Sequence, residues 1–96
     1  MDGVFEIAIE VYGKDMQLTV AVEELSELIK EICKNKRGAN NVENIIEELA
    51  DCYIMMEQLE IIFDIPFDKI NRKIIKKKAR LERRLEEENK NGKEYK

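Results

Sequence analysis

Two carboxylate groups with the same spacing carry the chemical potential of this chain. Glu23-Glu24-x-x-Glu27 lies in the run EELSELIKE, and Glu47-Glu48-x-x-Asp51 lies in the run EELAD. On a helix, residues three apart share a face, with Cβ atoms about 5–6 Å apart. Each segment, if helical, offers carboxylates side by side. Packing of the two segments would bring Glu24, Glu27, Glu48 and Asp51 to one place. Carboxylates that close repel one another unless a cation compensates them. Oxygen-only ligation of this kind suits Mg²⁺, with Mn²⁺ as a substitute.

Register sharpens this reading. At about 100° per residue, Glu48 falls inside an apolar stripe, between the directions of Met55 and Leu59, and Asp51 lies at its edge beside Ile62. Glu24 flanks the stripe of its own segment, with Glu27 and Glu31 further round, while Glu23 and Glu47 point outward. A carboxylate directed at a core must be paired, protonated or metal-bound. Competing chemistries lack their residues. The chain has no His, which removes the Glu-x-x-His pairs of di-iron bundles, ordinary zinc sites and Ser-His-Asp or Cys-His catalysis. No Gly-rich phosphate loop is present, so a nucleotide would have to be held by metal and side chains.

The elements that must position these acids read as helices. Residues 2–12 are ambiguous in period. Phe5, Ile7, Ile9 and Val11 alternate as a strand would, whereas Phe5, Ala8, Ile9 and Tyr12 suit a helix face. A lone strand has nothing to pair with, so a short helix is predicted, ending at Gly13. The first long helix spans 14–36, with Leu18, Ala21, Val22, Leu25, Leu28, Ile29 and Ile32 at helical spacing and Gly38 as its stop. Asn40 or Asn41 is placed to cap the next helix, and Glu43 stands three beyond Asn40 as in a capping box. That second long helix spans 41–63. It carries one apolar stripe through Ile45, Leu49, Cys52, Met56, Leu59 and Phe63, and another through Ile46, Ala50, Ile54 and Ile61. A helix apolar on two sides needs cover on two sides, which predicts association with further copies of the chain. Pro66 marks the next break, with Asp64 as a cap. A third long helix runs to about Glu88, with Phe67, Ile70, Ile74, Leu81 and Leu85 on one face and Lys76, Lys77, Lys78, Arg80, Arg83 and Arg84 exposed.

The expected fold class is therefore all-α. A short N-terminal helix and three long helices form a bundle over residues 1–88, assembled as a dimer or tetramer, and 89–96 form a disordered tail. Ninety-six residues bury only a modest core, which is a further reason to expect a homodimer or homotetramer. A net charge of −4 gives no general attraction to nucleic acid or to an anionic membrane, so neither is an expected partner. Charge is segregated, with carboxylates dominating 23–60 and Lys/Arg dominating 69–84. Cys33 and Cys52 form neither a disulfide framework nor a Cys-x-x-Cys knuckle. Free thiols, no membrane-spanning run and no basic N-terminal leader together predict a cytoplasmic protein.

Glu23-Glu24-x-x-Glu27, twenty residues, then Glu48-x-x-Asp51 resembles the signature of the MazG-like, all-α nucleoside triphosphate pyrophosphohydrolases. Tyr12-Gly13 followed by Gln17 is similar to the stretch that often precedes that family's first motif, and ADCYIMMEQL to the continuation of its second. The likeness covers about residues 5–63 and extends more loosely to the basic helix. It implies an enzyme that uses Mg²⁺ to cut the α–β phosphate bond of a nucleoside triphosphate, releasing a monophosphate and pyrophosphate. Glu24, Glu27, Glu48 and Asp51 match the metal ligands. A spare carboxylate, Glu23 or Glu27, would orient or deprotonate the attacking water. Lys77, Arg80 and Arg84 match cationic positions that meet phosphate, Gln17 could touch base or sugar, and Tyr12 could stack on a base. The chain lacks the Trp and His that often shape the nucleoside pocket, so base specificity stays open. The competing reading is a non-catalytic interaction module whose acidic and basic helices pair by charge.

Overall fold

The computed structural model describes residues 2–90 and 92. Those residues form four helices and no strand: α1 Val4–Tyr12, α2 Lys14–Lys36, α3 Val42–Ile62 and α4 Phe67–Lys90. The helical alternative for the N-terminal segment is the one adopted, and the bounds of the three long helices match their apolar patterns within two residues. Helix α4 carries two residues of the expected tail, Asn89 and Lys90; the rest of that tail, apart from Gly92, lies outside the described residues. No helix among the described residues is long and apolar enough to cross a membrane. Contacts divide the chain after Asp64 into two units.

In the first unit, α2 and α3 form the main packing pair, and α1 lies against both. Gly13 joins α1 to α2 at φ 91°, ψ 150°, a conformation essentially reserved for glycine. Helix α2 ends in a Schellman motif. Gly38 has φ 102°, its N–H donates to the Asn35 carbonyl at 2.9 Å, and the Ala39 N–H donates to the Lys34 carbonyl at 3.1 Å. The expected stop at Gly38 therefore has a specific hydrogen-bonded form. The short connection through 37–41 returns α3 antiparallel to α2. Cross-helix bonds run in matching order: Gln17 to Gln58, Cys52 to the Glu24 carbonyl, and Asn41 to Glu31. Asp64, at φ 52°, turns the chain out of α3.

The seam between α2 and α3 follows heptad spacing on both sides. Gln17, Ala21, Glu24, Leu28 and Glu31 are the buried or half-buried line of α2; Ile45, Glu48, Cys52, Met55, Leu59 and Ile62 are that of α3. This differs from the expected apolar stripes. Leu49, Met56 and Phe63 are exposed, as are Val22, Ile29 and Ile32 on α2. The reason is that the seam admits polar residues which find partners across it. Gln17 Nε2 donates to Gln58 Oε1 at 2.7 Å, with both residues buried. The apolar core is small: Ile9, Ala21, Cys52, Met55 and Ile62.

The second unit is α4. Its Phe67, Ile74, Ile75, Leu81 and Leu85 are exposed, and none of its residues is buried. Arg72 and Asp68 make an i,i+4 ion pair at 2.8 Å near its start.

Candidate metal centre

Among the carboxylates at seam positions that would ordinarily be apolar, Glu24 on α2 and Glu48 on α3 lie together. Asp51, one turn beyond Glu48, joins them. One oxygen from each of Glu24, Glu48 and Asp51 lies within 4.8 Å of the others. Glu24 and Glu48 are half-buried and Asp51 is exposed, so the cluster opens on one side to solvent.

The electrostatics are those of unneutralised crowding. Burial pushes the Glu24 carboxyl up from its ordinary pKa. The charge of Asp51, a hydrogen bond shared with Asp51, and the charges of Glu48 and Glu27 act in the same direction. Burial also raises Glu48, followed by the charges of Asp51, Glu27, Glu31 and Glu47. Glu48 Oε2 is buried and has no hydrogen-bond partner. An orphaned carboxylate oxygen is costly in a protein interior unless protonated or coordinated. Below the cluster, Cys52 Sγ donates to the Glu24 carbonyl at 3.6 Å. Burial raises the Cys52 thiol, and the charges of Glu24, Glu48 and Asp51 raise it further. It is therefore a neutral packing thiol and not a nucleophile.

The other residues singled out in the sequence fall in different places. Glu27 is exposed, and its carboxylate pairs with Lys30 at 3.7 Å. It stands outside the group of three, though close enough for its charge to act on Glu24 and Glu48. Glu23 is exposed; its carbonyl accepts the Ser26 hydroxyl at 2.7 Å. Gln17 is interior, bonded to Gln58. Tyr12, the last residue of α1, is exposed. Lys77, Arg80 and Arg84 are exposed on α4.

One residue has a larger part than its sequence position implied. Glu31, expected further round the helix, is only 7% exposed. It is bonded to Asn41 and Lys34. These bonds, Asn41 first, hold its carboxyl below the ordinary range against the opposing effect of burial. Its place four residues after Glu27 and seven after Glu24 was the available signal: seven residues is two turns, which puts Glu31 on the face of Glu24.

The donor set is hard, anionic and oxygen-only, with one oxygen lacking any other partner. It fits a small divalent cation such as Mg²⁺ or Mn²⁺. No protein family, curated protein or solved structure matches the chain.

Proposed function

We propose that this chain is a Mg²⁺-dependent nucleoside triphosphate pyrophosphohydrolase, cutting the α–β phosphate bond to give a nucleoside monophosphate and pyrophosphate. The observation that carries the reading is the unpartnered, buried Oε2 of Glu48 beside Glu24 and Asp51. The resemblance of the two acidic motifs to the MazG-like family supplies the reaction. Glu24, Glu48 and Asp51 would hold the ion. Glu27, on a long exposed side chain whose Lys30 pair is solvent-screened, is the fourth proposed ligand. A bound divalent ion would screen the triphosphate and acidify a water. Glu23 or Glu27, both exposed, would orient that water or take its proton. Lys77, Arg80 and Arg84 are the cations proposed to meet phosphate, on the grounds of charge and helical spacing. Gln17 could contact substrate only by giving up Gln58.

The working unit in this reading is a homodimer or homotetramer in the cytoplasm. Association is supported by apolar side chains left open around α2 and α3, among them Val22, Ile29, Ile46, Tyr53 and Ile54, each more than 40% exposed. Sedimentation should give a mass two or four times that of the chain. The test of activity is a panel of canonical and modified NTPs and dNTPs. Pyrophosphate release that requires Mg²⁺ and is lost in Glu48→Gln supports the proposal. Release of orthophosphate alone rejects it.

The segregation of carboxylates and cations along the chain favours one second reading, a non-catalytic module assembled by charge pairing. That module would bind no divalent ion and hydrolyse nothing in the panel.

A further inference from the structure

Glu31 differs from Glu24 and Glu48 in that both its oxygens are partnered. Asn41 Nδ2 donates to Glu31 Oε1 at 3.1 Å and to the Glu31 carbonyl at 2.9 Å. Lys34 Nζ stands 3.1 Å from Oε2. The other end of the Asn41 amide, Oδ1, accepts from Asn35 Nδ2 at 3.2 Å. Asn41 is the N-cap residue of α3, yet its side chain makes no cap bond. Asn is favoured at that position because it caps. Here its amide crosses to the neighbouring helix instead, and the first turn of α3 goes uncapped by it.

The consequence is geometric. The clamp fixes where α3 begins against α2, two turns from Glu24. At the other end of the pair, Gln17 and Gln58 are bonded across the same seam. The three clustered acids lie between these two cross-links. A slip of one residue along a helix translates a side chain by about 1.5 Å and turns it by about 100°, which would take Glu48 and Asp51 away from Glu24. Metal coordination tolerates only tenths of an ångström.

We propose that the Glu31–Asn41 clamp is a positioning device for the metal centre, setting the register that places Glu48 and Asp51 opposite Glu24. The inference rests on the metal reading above. Neither Glu31 nor Asn41 touches the ion; both act through the helices.

Mn²⁺ binding, followed by calorimetry and by the loss of the free-ion electron paramagnetic signal, tests this on four proteins: wild type, Glu31→Ala, Glu31→Gln and Asn41→Ser. Circular dichroism melts run in parallel. Glu31→Gln keeps an oxygen for Asn41 and removes the charge. Asn41→Ser breaks the clamp but restores a capping hydroxyl to α3, so it should fold even if Glu31→Ala does not. The expected result is at least a roughly tenfold weaker Mn²⁺ affinity in Asn41→Ser and in folded Glu31→Ala, with Glu31→Gln within about threefold of wild type. Unchanged affinity in Asn41→Ser overturns the clamp. Equal losses in Glu31→Gln and Glu31→Ala overturn it as well, because charge alone would then account for the effect. Absence of Mn²⁺ binding by the wild type rejects the metal reading itself, in a separate arm of the experiment.

Discussion

Glu24 on α2 and Asp51 on α3 each bring a carboxylate oxygen within 4.8 Å of the other across the helix pair, and burial, followed by the charge of Asp51, raises the Glu24 carboxyl above its ordinary pKa. Glu48 lies beside both. Without metal, this arrangement opposes the pairing of the two helices that make it. Removing one charge should relieve that opposition. Glu48→Gln is expected to raise the melting temperature of the metal-free protein by a few degrees. It should also abolish the upward shift that Mg²⁺ or Mn²⁺ gives the wild type. Scanning calorimetry with and without metal reads both effects.

The same crowding sets a pH dependence. Glu24 and Glu48 have pKa values raised by folding, so their contribution favours the folded state at low pH and is lost as pH rises through the raised values. Glu31 runs the other way. Its pKa is lowered, so its contribution is present above the ordinary glutamate value and is lost as pH falls through the lowered one. The metal-free protein should therefore become more stable as pH drops from neutrality towards about 4.3, the ordinary glutamate pKa. Below that, as Glu31 protonates, it should lose stability. Saturating metal should remove the gain above that point. Denaturant midpoints across pH, measured with and without Mg²⁺, check the sign of each limb.

The Gln17–Gln58 pair makes a separate prediction about stability. Gln17→Ala leaves the buried Gln58 Oε1 without its donor, at a cost of about 1–3 kcal/mol. Replacing both residues by Leu should be close to neutral, because no polar atom is stranded. Urea titrations of Gln17→Leu, Gln58→Leu and the double Leu variant give the coupling. If Gln17 instead serves substrate while Gln58 is indifferent to its loss, the coupling should vanish.

Gly13 tests the α1–α2 connection. A Cβ there would meet nothing within 4 Å, so any penalty comes from the backbone alone. Gly13→Ala should cost about 1–3 kcal/mol, read as a lower denaturant midpoint with an unchanged slope.

The helices were legible in the sequence because they follow from helical spacing; of the four acids expected to meet, Glu24, Glu48 and Asp51 come within 4.8 Å of one another and Glu27 stands outside them. The exact seam was not legible. Stripes drawn through apolar residues alone placed Leu49, Met56 and Phe63 inside. The structure instead places Met55, Gln58 and Ile62 there. A buried Gln is tolerable only with a partner, and the partner, Gln17, lies 41 positions away. Asn41 illustrates the same limit. Local sequence marks it as a cap, and the competing acceptor, Glu31, becomes visible only once α2 and α3 are paired. On α4 the amphipathic pattern was clear, but Phe67, Ile74, Leu81 and Leu85 of its apolar face are exposed, so periodicity identified the helix without identifying what covers it.

A crystal of the protein grown with Mn²⁺ and measured at the manganese absorption edge tests the central claim most directly. An anomalous peak enclosed by the carboxylates of Glu24, Glu48 and Asp51 is the predicted result, with Glu48 Oε2 among the coordinating oxygens. Those three groups turned apart into solvent, with no peak between them, would contradict it.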